Sequence, residues 1–289
     1  MTISRDDTPL LKLPKRAPET HKGDYGRALL VGGSQAMGGA IALAGMAALR
    51  GGAGLVRLAT PASCHTIVAS FNPCYMVAPL SADEKGALAT EAREELAELA
   101  ADATCVGCGP GLSTSAGVQQ VVSWLYTHFT GAAVFDADAL NVLARQRGAL
   151  SLPGGPRILT PHPGEFRRLL GAEGDYDEAA REQVAAEFAA NHRAIVLLKG
   201  HRTLVTDGER VSLNTTGNPG MATGGTGDVL TGLLVALLCQ GLAPYDAARL
   251  GAHWHGLAGD LAAAELGEAS LTARDLIDYL PAAIRRDDK

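Results

Sequence analysis

Apolar and polar positions along this chain change period at short, regular intervals. Residues 27–31 form a brief apolar run, the pattern of a strand buried on both faces. A glycine turn over 32–39 leads into a small-residue helix over 40–50, and a second strand follows over 54–59. The rhythm then repeats, with helix 90–101 before strand 104–107, helix 116–128 before strand 132–135, and helix 177–192 before strand 194–198. A further helix is expected over 139–146. Past residue 200 a hairpin-like pair over 203–206 and 210–214 precedes helices across 228–240 and 246–266. Strands alternating with helices predict an α/β fold, a central and mostly parallel sheet flanked by helices on both faces. The hairpin supplies a short antiparallel edge. Residues 1–22 are polar and carry three prolines, so they read as an irregular N-terminal arm. No repeat, linker or boundary interrupts the pattern, and residues 1–289 read as one domain.

Composition changes this picture little, but it excludes some functions. Of 289 residues, 47% are hydrophobic and 19% charged, the balance of a globular chain with a large core. The net charge is −6, Lys and Arg are scattered, and aromatics are 4%, which argues against a nucleic-acid surface. No apolar run follows a basic start, and the longest apolar runs are too short to span a bilayer. A cytoplasmic protein without a membrane partner is expected. The cysteines, Cys64, Cys74, Cys105, Cys108 and Cys239, are odd in number and widely spaced, so a disulfide framework is not expected. Cys105 and Cys108 have redox or zinc spacing but lack a second pair, and they read as buried thiols beside a loop.

Candidate chemistry gathers at the strand ends, where open α/β sheets bind ligands. These ends lead into Gly32-Gly33, Gly109-Pro-Gly111, Asp136-Ala-Asp138, Thr160-Pro-His-Pro-Gly-Glu165 and Lys199-Gly-His-Arg-Thr203. The strongest signal is the stretch from Asn214 to Asp228, with glycines at 217, 220, 224, 225 and 227, running into an apolar helix. Glycines at a helix start expose main-chain N–H groups and the positive end of the helix dipole, which makes an anion site. Asp228 is then a base beside a bound phosphate, or it caps the helix. Asp136 and Asp138 can hold a metal or cap the helix after them, and Asn141 lies one turn on. Glu165 can hold a hydrated Mg²⁺ or serve the helix dipole. His162, between two prolines, reads as a ligand contact. The loop from Lys199 to Thr203 can grip a nucleotide or be a solvated hairpin entry. Gly32 to Gly39 lacks a dinucleotide or phosphate-loop signature. His253 and His255 resemble a metal motif, but residues two apart on a helix diverge, so packing is the better reading. No nucleophilic triad is present.

Together these segments resemble the ribokinase-like superfamily, and closely the ADP/ATP-dependent NAD(P)H-hydrate dehydratases, from about Lys22 to Ile284. The likeness rests on Lys22-Gly-Asp-Tyr-Gly-Arg27 with Gly32-Gly-Ser34, Ala48-Leu-Arg-Gly-Gly-Ala-Gly54, Gly109-Pro-Gly-Leu112, Asp136-Ala-Asp-Ala-Leu-Asn141, the Thr160 to Glu165 loop and Asn218 to Asp228. Kinases of the superfamily usually carry Asn at the place of His162 and often Gly-Ala-Gly-Asp where Gly225-Thr-Gly-Asp228 stands. The resemblance implies a substrate, the S form of hydrated NADH or NADPH, and a two-stage reaction. The ring hydroxyl is phosphorylated and phosphate is then eliminated, with Asp228 as the catalytic base. It implies that Ala40, Gly109, Gly111, His162 and Asp228 line the hydrate pocket. Lys199, Gly200, His201, Arg202, Thr203, Asn218, Gly225, Thr226 and Gly227 would hold the nucleotide, with Mg²⁺ near Glu165, reached through water. ADP is the expected donor, yielding AMP and phosphate, because the Ala/Gly/Arg-rich composition looks bacterial. A homotetramer is expected by the same resemblance. An N-terminal epimerase domain, present in some members, has no room here, so only the dehydratase activity is expected. The alternatives are a small-alcohol kinase such as a hydroxyethylthiazole kinase, and a nucleotide-sensing domain without turnover.

Overall fold

Ten strands form one sheet in the computed structural model, which describes residues 3–171 and 177–287. In chain order they are β1 (Ser4–Arg5), β2 (Arg27–Val31), β3 (Leu55–Pro61), β4 (Met76–Leu80), β5 (Cys105–Cys108), β6 (Ala132–Phe135), β7 (Arg157–Leu159), β8 (Ile195–Leu198), β9 (Leu204–Thr206) and β10 (Arg210–Leu213). Their spatial order is β1-β10-β9-β8-β7-β6-β5-β2-β3-β4. The block from β4 to β8 is parallel throughout, and β9 is antiparallel to both β8 and β10. The expected mixed sheet is therefore present, with the hairpin continuing one side. The helices are α1 (Gly38–Arg50), α2 (His65–Ser70), α3 (Ala92–Ala101), α4 (Ala116–His128), α5 (Ala137–Arg145), α6 (Arg147–Leu150), α7 (Pro163–Leu170), α8 (Arg181–His192), α9 (Thr226–Cys239), α10 (Pro244–Leu266) and α11 (Ala273–Asp287).

Strand residues alternate between two cores, as a sheet buried on both faces requires. Ala28 and Leu30 of β2 join Cys105, Val134, Ile158 and Leu197 under α1, α9, α10 and α11. Leu29 and Val31 join Val106, Phe135, Leu159 and Val196 under α3, α4, α5, α7 and α8. Helix α9 is apolar all round and buried from Val229 to Cys239. It lies close against α1, because a Cβ on Gly232 would come within 1.9 Å of the Ala44 carbonyl oxygen.

The structure adds elements that periodicity did not reveal. The arm, expected to be irregular, carries β1, which pairs parallel with β10. Asp6 follows this strand and meets Arg249 of α10 at 3.3 Å, with both side chains buried. Helix α2 and strand β4 are too short and mixed to show a clear period, and β7 is only three residues long. The helix expected over 177–192 starts with a 3-10 turn, Glu178–Ala180, before α8. Among the described residues, no helix is long and apolar enough to cross a membrane.

Candidate active site

Parallel strands end on one side of the sheet, so their following loops meet there. The Gly33 N–H donates to the Pro110 carbonyl at 2.8 Å, joining the loops after β2 and β5. Asp138 accepts from the Ser113 N–H at 2.8 Å and so ties the β5 loop to α5. Gly109, at φ 135°, passes so near the chain that a Cβ would be 1.8 Å from the Asp136 carbonyl oxygen. Only glycine fits that approach. The turn after β6 places Ala137 in the left-handed region, at φ 49°. Such a conformation costs energy in a residue with a Cβ, and here it accompanies an inward Asp136.

Asp136 is 1% exposed and fully engaged. Its Oδ1 accepts from Lys199 Nζ at 2.7 Å, and its Oδ2 accepts from the Thr231 hydroxyl at 2.9 Å. Lys199 Nζ is also 3.7 Å from Glu165 Oε2. This pair lies at the start of α9, since a Cβ on Gly227 would be 3.4 Å from Lys199 Nζ and 3.5 Å from Asp136 Oδ2. Gly225, at φ 93°, is the N-cap of α9, and no side chain caps the helix. Asp228 is therefore in the first turn and is not the cap, which sets aside the capping reading and leaves it at the positive end of the helix dipole. Among the described residues, the main-chain N–H groups of residues 224–228 find no acceptor. An uncapped N-terminus beside an ammonium is an anion site.

Charge and burial set the chemistry of Asp228. Burial pushes its pKa up, the neighbouring Asp136 carboxylate raises it further, Lys199 opposes both, and the value settles at about 7. A carboxylate at that value can take a proton near neutral pH. Lys199 is held charged, because attraction to Asp136 and Glu165 outweighs its burial.

Glu165 serves two roles at once. Helix α7 starts with a capping box in which His162 Nδ1 accepts from the N–H groups of Gly164 and Glu165, at 3.0 and 3.3 Å. Glu165 Oε2 accepts from the His162 N–H at 2.8 Å. The helix-serving reading of Glu165 thus holds, and its carboxylate still faces Lys199. His162 is half exposed, and its pKa is pushed down by burial and by the charges of Lys199 and Arg168. Its neutral ring can therefore accept at Nδ1. No cluster of three His, Cys, Asp or Glu fit to hold a metal occurs among the described residues. Mg²⁺ commonly keeps several waters and uses one or two carboxylates with substrate phosphates. Glu165 fits that requirement through water, whereas both Asp136 oxygens are already engaged by Lys199 and Thr231.

A cavity of about 590 Å³ opens beside this cluster. The loop from Lys199 to Thr203 forms one wall and residues 214–219 another, while Thr226, Gly227 and Leu230 form the floor. The sequence-predicted Lys199, Gly200, His201, Arg202, Thr203, Asn218, Thr226 and Gly227 all line it. The Asn218 amide is committed to the fold, accepting from the Gly220 N–H and donating to Asp260 Oδ1, each at 3.0 Å. Gly225 does not line the cavity, and a Cβ there would strike Leu43 and Ala273. Ala40 and Gly111 meet at another part of the same sheet end, where a Cβ on Gly111 would be 3.1 Å from Ala40 Cβ. Asn141 instead accepts from Arg168 Nε at 2.9 Å and is tied to α7.

Thr231 and Met37 carry no signal in the sequence, and His255 carries one that reads as packing. Thr231 lies within an apolar helix, and only the fold brings it to Asp136. Met37 presents its carbonyl to Gly111. His255 lines the cavity, and its Nε2 donates to the Thr226 carbonyl at 2.8 Å. Burial lowers its pKa to about 4, so it is neutral. The expected divergence of the His-Trp-His segment is observed, since His253 and Trp254 instead meet Asp287, at 3.0 and 2.8 Å.

Comparisons with known proteins show the family. The family model described as NAD(P)H-hydrate dehydratase matches residues 28–282. A bifunctional NAD(P)H-hydrate repair enzyme Nnr from Moorella thermoacetica is 46% identical over 95% of this chain and 52% of its own length. The chain spans about half the length of the curated relatives it matches. The ADP/ATP-dependent NAD(P)H-hydrate dehydratase from Bacillus subtilis, crystallised with ATP and Mg²⁺, superposes with a TM-score of 0.78 at 33% identity, covering 95% of this chain and 94% of that one. A hydroxyethylthiazole kinase from Pyrococcus horikoshii, at 19% identity and a TM-score of 0.63 over 91% and 92% of the two chains, shares the ribokinase-like fold alone. The chain belongs to the NAD(P)H-hydrate dehydratase family.

Proposed function

We propose that this chain dehydrates the S forms of hydrated NADH and NADPH at the expense of ADP, and so repairs nicotinamide nucleotides. The observation that carries this reading is Asp228, poised near pH 7 in the first turn of an uncapped helix, beside the Lys199–Asp136 pair. The ADP diphosphate would enter the 590 Å³ cavity, past Thr226 and Gly227, and place its terminal phosphate at the N–H groups of residues 226–228. Asp228 takes the proton of the ring hydroxyl, the hydroxyl oxygen bonds to the terminal phosphorus, and the bond to AMP breaks. Loss of phosphate and a neighbouring ring proton then restores the double bond. Phosphate leaves far more readily than hydroxide, which is why the phosphoryl transfer is needed. Lys199 and the helix N-terminus offset charge on the phosphoryl group. When bound, Mg²⁺ would be held through water by Glu165, with Asp136 nearby, and would neutralise phosphate charge.

The hydrate side would be formed by Ala40, Gly109, Gly111 and His162. We further assign the chain to a homotetramer in the cytoplasm. The Bacillus subtilis relative is described as using either ADP or ATP, so the donor is decided by comparing kcat/KM for both. ADP is the expected winner, and an ATP advantage would overturn that choice. Recovery of reduced-nicotinamide absorbance from hydrated NADH, with AMP and phosphate formed, tests the reaction itself. A stable phosphoester as product would instead support the small-alcohol kinase.

A further inference from the structure

A second cavity, of about 310 Å³, lies at the opposite end of the sheet, where β2 and β3 begin. Register pairs Arg27 with Leu55 and Leu29 with Arg57, so arginine and leucine alternate across the two strands on the face turned to α3. Lys22 and Asp102 complete the charged lining. The side chains of Lys22, Arg27 and Arg57 make no ion pair or hydrogen bond with a described residue, and Arg27 is held through its main-chain N–H, which donates to the Thr104 hydroxyl at 3.0 Å. Three cations against one carboxylate stand out in a chain of net charge −6. Clustered like charges on a sheet face repel one another unless an anion joins them. Arginine suits that role, because its planar fork binds phosphate through two parallel hydrogen bonds. Leu55, Leu99 and the exposed Met76 supply an apolar surface beside the cations. Methionine adapts readily to a flat ligand. The volume is at the lower end for small-molecule sites. Strand β2 separates the cavity from the catalytic loops by roughly 15 Å.

We propose that this cavity is a second ligand site, which binds a small phosphorylated molecule of mononucleotide size. Its phosphate is held by Arg27 and Arg57, with Lys22 at the rim, and its flat part rests on the leucines and Met76. The site is independent of the catalytic reading. AMP is a suitable probe, titrated into the full chain by calorimetry. The wild type is expected to show two AMP sites, one of which is lost in Gly227→Val. The Arg27→Gln/Arg57→Gln double variant should weaken the other by at least about tenfold, with unchanged initial turnover in the absence of added AMP. Asp102→Asn, which keeps all three cations, should bind AMP several-fold tighter at that site. A single site that vanishes in the arginine variant supports the proposal and removes AMP from the catalytic cleft. A single site that vanishes only in Gly227→Val overturns it. So does a second site that the arginine variant leaves unchanged, or no tightening in Asp102→Asn. An altered mass in sedimentation without a second AMP site would make the surface a subunit contact and would also overturn it.

Discussion

At the scale of single residues, the role proposed for Asp228 comes with a cost. Its carboxylate is held near pH 7 by burial and by Asp136. The proposed reaction needs it ionised, so kcat/KM should fall as the pH drops below about 7 and level off above it. Asp228→Asn should lower turnover by about 10²–10⁴-fold, measured by absorbance recovery. The sign for stability is opposite. With the folded pKa raised above the ordinary 3.8, the folded state holds more protons across that window, and stability is lost as pH rises from about 4 to about 7. Asn carries no such penalty, so the variant should melt higher than the wild type at neutral pH by a stabilisation of roughly 1–2 kcal/mol. A lower melting temperature would count against this account. Asp136→Asn removes a like charge and frees Lys199 to face Asp228. The acid limb of the pH–rate profile should then move to lower pH, and an unmoved limb would show that Asp136 does not tune the base.

At the scale of elements, the two glycines at the start of α9 should behave differently. Gly227 faces the Lys199–Asp136 pair, so Gly227→Val should weaken nucleotide binding sharply in calorimetry while stability changes little. Gly225 has φ 93° and packs against Leu43 and Ala273, so Gly225→Val should lower the melting temperature first. Equal effects on stability would contradict that division. Elsewhere Arg157 of β7 shows how an element end can be finished from a distance. It is 1% exposed, and its guanidinium donates to the carbonyls of Leu125, Tyr126, Phe129, Gly131 and Pro156, closing the end of α4. Arg157→Met would leave those carbonyls without donors. A loss of about 1–3 kcal/mol or more is expected in urea unfolding, with kcat preserved in the folded fraction. Nothing in the sequence marked Arg157, because its partners are 26 to 32 residues away in all but one case.

At the scale of the whole molecule, ligand binding and folding are linked. ADP should raise the melting temperature in proportion to its occupancy of the cleft, and this rise should vanish in Gly227→Val. Periodicity by itself determined the sheet class, because a strand such as residues 27–31 must bury both faces and the helices between strands must cover them. The glycines of 217–227 and the loop motifs likewise marked the sheet edge where the cavity opens, since close main-chain approach to an anion needs residues without a Cβ. Tertiary structure alone decided what each polar group meets. It joined Asp136 to Lys199 and Thr231 across 63 and 95 residues, moved Gly225 out of the cleft, and turned His255 towards the Thr226 carbonyl. It also drew the arm into the sheet as β1, and Arg27 and Arg57 into one cavity. Local pattern encodes which faces are apolar, whereas the partner of a buried charge depends on which distant segments the packed helices and strands bring within hydrogen-bonding reach.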